Sequence, residues 1–291
     1  MAMAQSQFRP ECLVSGFGLI EGPLYEPGHG LLFSDTINGG VRCLAPDGSL
    51  RDIVAHRKGI GGIARHANGG LIVSGRTVAL KPADGGATIT LVPDDPDHGI
   101  LGFNDLVTDD AGRIYVGSLA FRALSTDGAK PAFLHMIDLD GSVHRLADDV
   151  MLTNGLGFSP DGSRLYHSDS ARNSIYAYDV GAAGRVTNRR VFAKTSKGSP
   201  DGLAVAADGS VWVALAHGSG VGVYDAHGRE IARIDMPVPM VTSLCFGGDD
   251  WRDLYIVTGP DGAPQDEGGG IYRLRVDVPG KERPLARVAL P

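Results

Sequence analysis

Asn104, Asn154 and Asp201 each stand eight residues ahead of a turn glycine, Gly112, Gly162 and Gly209, and Glu21 heads a looser copy of the same stretch. Asn154 poses the question most sharply. It opens an otherwise apolar run, LTNGLGF, where strand propensity gives an amide no reward. Two carboxylates and two amides, with no His or Cys among them, form an oxygen-only donor set. Such a set suits a hard divalent cation, Ca²⁺ first, with Mg²⁺ or Mn²⁺ as alternatives and Zn²⁺ to be tested beside them. Two carboxylates about 4 Å apart at an effective dielectric near 20 repel by about 4 kcal/mol, and a doubly charged ion removes that conflict. The competing reading is a set of polar strand ends capped by channel water. Four oxygen donors in one register argue against it.

The elements that must position these residues are strands. NGLGFSPDGSRLYHS from Asn154 matches DGLAVAADGSVWVAL from Asp201 and NDLVTDDAGRIYVGS from Asn104, with a fainter copy, GGIARHANGGLIVSG, from Gly61. Looser members begin at Glu21 and Thr242, so the heads fall at 21, 61, 104, 154, 201 and 242. Each unit reads as a hairpin closed by a PDG- or DG-type turn and followed by one or two further strands, such as SIYAYDV and RRVFAK. Steps of 40 to 50 residues with four strands per unit predict an all-β fold, a six-bladed β-propeller with a metal site in its central channel. ECLVSG, before Glu21, is expected to supply an outer strand to the last blade and close the ring. A single domain over 1–291 follows, because each blade needs both neighbours to bury its faces. If the first strand of each unit is innermost, the heads lie at one height around one axis.

Composition excludes several classes. The chain has 291 residues, 42 of them Gly and 17 Pro, too many turn formers for a helical bundle. Net charge is −7 without any Lys or Arg run, which leaves no electrostatic footprint for nucleic acid or a membrane surface. Small molecules are the expected partners, and the protein is expected to be a monomer or weak homo-oligomer. The start, MAMAQSQFRPE, lacks a secretion signal and no window approaches a membrane span, so a cytoplasmic protein is expected. Cys12, Cys43 and Cys245 lack metal-ligand spacing and read as reduced thiols. There is no G-x-S-x-G elbow, H-E-x-x-H helix or P-loop, and GSGVG at 218–222 lies between strand-like runs as a hairpin turn. His135, His167 and His217 are scattered singly and read as strand or surface residues, while Asp35 and Asp169 end matching strands and are expected to bond nearby backbone.

The chain resembles the SMP-30/regucalcin/gluconolactonase (LRE-like) family over nearly its whole length. The likeness is carried by IEGP at 20–23, FND at 103–105, TNGLGFSPDG at 153–162, SPDGLAVAADGSVWVA at 199–214 and VTSLCFGG at 241–248. It implies a six-bladed propeller holding one divalent cation in its channel, with Glu21, Asn154 and Asp201 as the metal ligands and Asn104 beside the metal, contacting substrate or water. Sugar lactonases of the family read RFND; here the segment is LGFND, and Gly102 takes the place of the arginine. The acidic residue expected after the following strand is also absent, since VGSL continues into Ala120, Phe121 and Arg122. With Phe103, Phe121, Arg122 and Met151 as further substrate contacts, and Leu101, Leu106, Leu152 and Met240 nearby, the pocket should be greasier than gluconolactone needs.

These readings point to a metal-dependent lactonase opening a small ring ester. The cation would polarise the carbonyl oxygen, Asp201 would serve as general base, and Asn104 would orient water or substrate. A ligated carboxylate is a weak base, so another residue or a metal-bound hydroxide can fill that role. Asp105 should face away from Asn104 in an extended chain and stays outside the catalytic set. Two alternatives stand beside the lactonase: metal-dependent hydrolysis of phosphotriesters on the same ion, and a calcium- or ligand-binding propeller without catalysis.

Overall fold

Asp-Gly-Ser is the commonest punctuation in the chain, and it makes its turns in one way. In four of them, at Asp47, Asp140, Asp161 and Asp208, the carboxylate accepts the N–H of the serine two residues on at 2.9–3.0 Å, with glycine between. Runs of alternating or fully apolar residues between such turns become antiparallel strands. The computed structural model describes residues 9–123, 125, 126, 128–263 and 268–291.

The strands form six four-stranded antiparallel sheets. Their innermost strands are Ile20–Glu26, Ile63–Arg65, Gly102–Thr108, Thr153–Phe158, Ser199–Val205 and Val241–Gly247, numbered here as blades 1 to 6. Each contacts the next in cyclic order, and blade 6 returns to blade 1. The chain closes the ring as the sequence anticipates, because Glu11–Phe17 pairs as the outer strand of blade 6 with Gly269–Arg275. Among the described residues the apolar core divides into six clusters, one on each seam between neighbouring blades. A blade face without its neighbour would therefore lie open to water, so the ring is held mainly by seam burial. The only helical segments among the described residues are three short 3-10 turns.

The inner strands of blades 1, 3, 4 and 5 share a defect that places the heads. Pairing jumps from Phe103–Ser118 to Leu106–Val116, from Thr153–Asp169 to Leu156–His167, from Pro200–Leu215 to Leu203–Val213, and from Glu21–Ser34 to Leu24–Leu32. Each is a bulge with one extra residue on the inner strand, and it breaks the alternation of faces. Asn104, Asn154 and Asp201 all open the bulge. The matching position in blade 1 is Gly22, so Glu21 stands one residue earlier in the ladder than its repeat position implies. Gly22 takes φ +56°, a left-handed turn open to glycine, and the backbone there runs unlike that after Phe103 or Thr153.

At the other end of the axis the chain lays a strap. After the last strand, Val276 and Gly280 bond Arg252 and Trp251, Thr108 Oγ1 donates to the Pro284 carbonyl at 2.5 Å, and Ala286 bridges Arg65 and Ala67. Ala286 and Val288 enter the core between blades 2 and 3.

Candidate functional site

The site is built from hydrogen bonds whose direction can be worked out. Ser170 Oγ donates to the Pro200 carbonyl at 2.5 Å, which spends its one proton. It can then only accept from Asn154, whose Nδ2 lies 2.6 Å away, and this turns Asn154 Oδ1 toward the axis. Asn104 Nδ2 donates to that oxygen at 2.5 Å and to the Thr153 carbonyl at 2.7 Å. The Asn104 amide oxygen therefore points the other way, over Gly61, where a Cβ would stand 2.2 Å from it. Blade 2 carries glycine at its head because the neighbouring amide occupies that space. In blade 6, Thr242 Oγ1 donates its one proton to the Ile20 carbonyl at 2.5 Å, with the Val257 carbonyl 3.1 Å away, and so stitches the ring closed rather than facing the axis.

Three carboxylates share the remaining space. Glu21 is pushed well above the usual carboxylate range, first by burial and then by the charges of Asp201 and Asp105. Asp201 is raised by burial and then by Asp105. Its Oδ1 is buried with no hydrogen-bond partner. Asp105 itself is pushed up to about 7 by burial, against the pull of the Arg283 charge and of the Leu106 N–H, which donates to it at 2.7 Å. Sequence reasoning set Asp105 aside on the alternation of an extended strand. The bulge cancels that alternation, and the Asp105 carboxylate acts on both Glu21 and Asp201.

The other expected contacts divide. Met151 lies half-buried just ahead of the Asn154 strand, its N–H bonded to Asp169 Oδ2 at 3.1 Å, while Phe121 is buried and Arg122 exposed just beyond the second strand of blade 3. Phe103 is placed differently from expectation: it is 1 % exposed, packs edge-to-face on His135 and belongs to the core between blades 2 and 3, because the residue before the bulge points into the seam. At Gly102 a Cβ would lie 3.0 Å from the Gly75 carbonyl, and Phe103 and Gly75 exchange backbone hydrogen bonds there, so blade 2 closes over the place of the family's arginine. His135 and His167 are held down to about 4 and about 3 by burial and stand neutral in the seams. Asp35 and Asp169 bind nearby N–H groups, as anticipated. GSGVG includes a hairpin turn between Val211–Ala216 and Gly220–Tyr224. Ser170 and Asp105 were missed: no repeat or spacing marks the first, and only the bulge brings in the second.

Among the described residues no group of three His, Cys, Asp or Glu is disposed to hold a metal by itself, so the amide oxygens decide the donor set. An orphaned buried carboxylate oxygen, an amide oxygen locked toward the axis and carboxylates raised by burial and then by one another's charge fit a hard divalent cation.

Comparison with known proteins agrees with the architecture. The chain is 31% identical to a pentonolactonase of Haloferax volcanii over 90% of its own length and 92% of the relative's. It is 32% identical to a 6-deoxy-6-sulfogluconolactonase of Pseudomonas putida, over 88% and 90% of the two chains. The crystal structure of a calcium-binding protein, regucalcin, from Agrobacterium tumefaciens superposes with a TM-score of 0.85 at 23% identity, covering 97% of this chain and 98% of that one. The model of the SMP-30/Gluconolactonase/LRE-like region matches residues 19–260, which take in the four axial heads, and the chain belongs to that family.

Proposed function

We propose that this protein is a divalent-cation-dependent lactonase. The observation that carries the reading is the unpartnered Asp201 oxygen, set among an oxygen-only ring with Glu21, Asn104 and Asn154. Relatives of similar length that are named lactonases support the ester-opening chemistry. Glu21, Asn154 and Asp201 would hold the ion, Ca²⁺ by preference for a hard all-oxygen set, and the ion when bound would supply Lewis-acid polarisation of the ring carbonyl.

The chain's own residues do the rest. Asn154 is fixed by Ser170 so that its oxygen, not its nitrogen, meets the axis. Asn104 is held by two donated bonds, and its oxygen is left to orient water or the lactone. Asp201 accepts the proton of the attacking water; burial and the neighbouring Asp105 raise its basicity, which offsets part of the loss that ligation causes.

The preferred lactone is less polar than gluconolactone. Gly102, closed over by Gly75, leaves no cation where sugar lactonases of the family carry arginine. Leu101 is 42% exposed nearby, and Met151, Leu152 and Met240 lie half-buried at the same end. The test is a pH-indicator screen of aliphatic, aromatic and sugar lactones, with phosphotriesters alongside. It is run after chelation and again with Ca²⁺, Mg²⁺, Mn²⁺ or Zn²⁺ restored. Cation-dependent turnover that favours aliphatic or aromatic lactones is the expected result. Full activity after exhaustive chelation refutes the metal reading; tight cation binding with no turnover of any compound refutes the enzyme.

A further inference from the structure

Glu21, Asp105 and Asp201 stand at the bulges of the inner strands of blades 1, 3 and 5, yet a divalent ion balances only two carboxylates. Glu21, Asp105 and Asp201 act on one another across the axis. The remaining charge has a counterpart below. Residues 282–284 of the C-terminal strap line two cavities at the lower mouth, one of about 480 Å³, and together these cavities touch the inner strands of all six blades. The strap therefore crosses the axis. Arg283 is half-buried there and, among the described residues, makes no hydrogen bond or ion pair. It shares a cavity with Val107 and Leu203, two residues past Asp105 and Asp201, and with Cys245 of blade 6, on the side of the ring opposite blade 3. The neighbours hold the strap in place: Thr108 binds the Pro284 carbonyl, and Ala286 is clamped to blade 2 on both sides of its peptide.

We propose that Arg283 is the channel's built-in second cation, a positioning residue that neutralises the third carboxylate from below and leaves the ring above matched to one divalent ion. The inference rests on the cation-site reading above. Covalent attachment explains why a guanidinium serves here: it is always charged, and the strap spares it the entropy of capture from solution. Arg283 also sets affinity. A fixed positive charge beneath the ring repels the incoming ion, so the site binds its cation less tightly than three carboxylates alone would.

The experiment is calorimetric titration of the chelator-stripped full-length protein with CaCl₂ at pH 8 and low salt, paired with melting curves with and without Ca²⁺. Arg283→Met should bind Ca²⁺ about tenfold more tightly than wild type and show a larger Ca²⁺-induced rise in Tm, whereas Arg283→Lys should stay within about threefold. Asp105→Asn, which leaves Arg283 over only two carboxylates, should weaken binding about tenfold, and the double variant D105N/R283M should return to within about threefold of wild type. If R283M does not fold, Arg283→Gln takes its place in both the single and the double variant. Wild-type binding with unchanged affinity in D105N, or a double variant that fails to return, overturns the role of Arg283 alone. A wild-type protein that binds no Ca²⁺, Mg²⁺ or Mn²⁺ overturns the cation site itself, and this inference with it.

Discussion

The two ends of the central channel are made from the same six strands and share almost nothing else. At the upper end the bulged residues of blades 3, 4 and 5, with Glu21 of blade 1, gather oxygen atoms that repel one another and are only partly satisfied by hydrogen bonds. At the lower end the same strands present Leu24, Val107, Leu156 and Leu203, and a strap with ordinary backbone bonds lies across them. The lower end is built to be stable. The upper end gives up stability for a concentration of charge, as functional sites do when local rules are broken. The bulge marks the boundary: below it, strand alternation is regular and apolar; at it, two successive residues can face the axis.

The strongest way to break this contrast is to remove one upper carboxylate. Asp201→Asn keeps the shape and deletes a charge from the ring. Turnover of the best lactone should fall by about 10³-fold, and the Ca²⁺-dependent rise in Tm should disappear. Steady-state kinetics with melting curves check both. A variant that loses turnover but keeps the Tm rise would confine Asp201 to proton transfer and leave ion binding to the other ligands.

A smaller effect is expected one step back from the axis. Ser170→Ala removes the hydroxyl that orients Asn154, and the amide then has no reason to keep its oxygen inward. Cation affinity should drop about tenfold, in line with the loss of an outer partner of a ligand. Ser170→Thr retains the hydroxyl and should recover most of it. Titration calorimetry distinguishes this from a packing defect, which threonine would worsen.

The same contrast has a pH signature. Glu21, Asp105 and Asp201 have folded-state values raised above those of the unfolded chain, Asp105 to about 7, so the folded protein holds protons that the unfolded chain releases. Their contribution is therefore most favourable below the ordinary carboxylate range and is lost as pH rises through about 7. Chelated protein should melt roughly 5 °C lower at pH 8 than at pH 5.5, and saturating Ca²⁺ should erase the difference. Scanning calorimetry at both pH values, with and without Ca²⁺, reads it directly. A chelated protein that is equally stable at both would mean that the three carboxylates do not burden the fold.

The repeat made much of this legible in the sequence. Asn104, Asn154 and Asp201 were visible because each stands a fixed distance from a turn glycine, and a propeller converts such spacing into a shared height. Glu21 was visible too, although its repeat position is occupied by Gly22, since the turn of blade 1 is displaced. Asp105 was misjudged because alternation of faces was assumed across a bulge that periodicity does not reveal, and Phe103 because it was read as a loop residue beside the site rather than as a strand residue packed in the seam. Ser170 and Arg283 lie outside the repeat altogether. Their positions follow from packing between blades and from the course of the strap, which no local pattern encodes.

The lower end supplies the smallest expected effect, and it matters as the control. Lys281 Nζ meets Asp110 Oδ1 at 2.8 Å on the same strap as Arg283, but both side chains are half open to water. An exposed pair of this kind is worth about 0–1 kcal/mol, because solvent screens the attraction and two long side chains resist being held. Lys281→Ala should thus shift Tm by no more than about 2 °C and leave both kcat/KM and Ca²⁺ affinity unchanged. Should removal of this charge alter cation binding as strongly as removal of Arg283, the field at the ring would depend on the strap's total charge. Position on the axis would then cease to distinguish one cation of the lower mouth from the other.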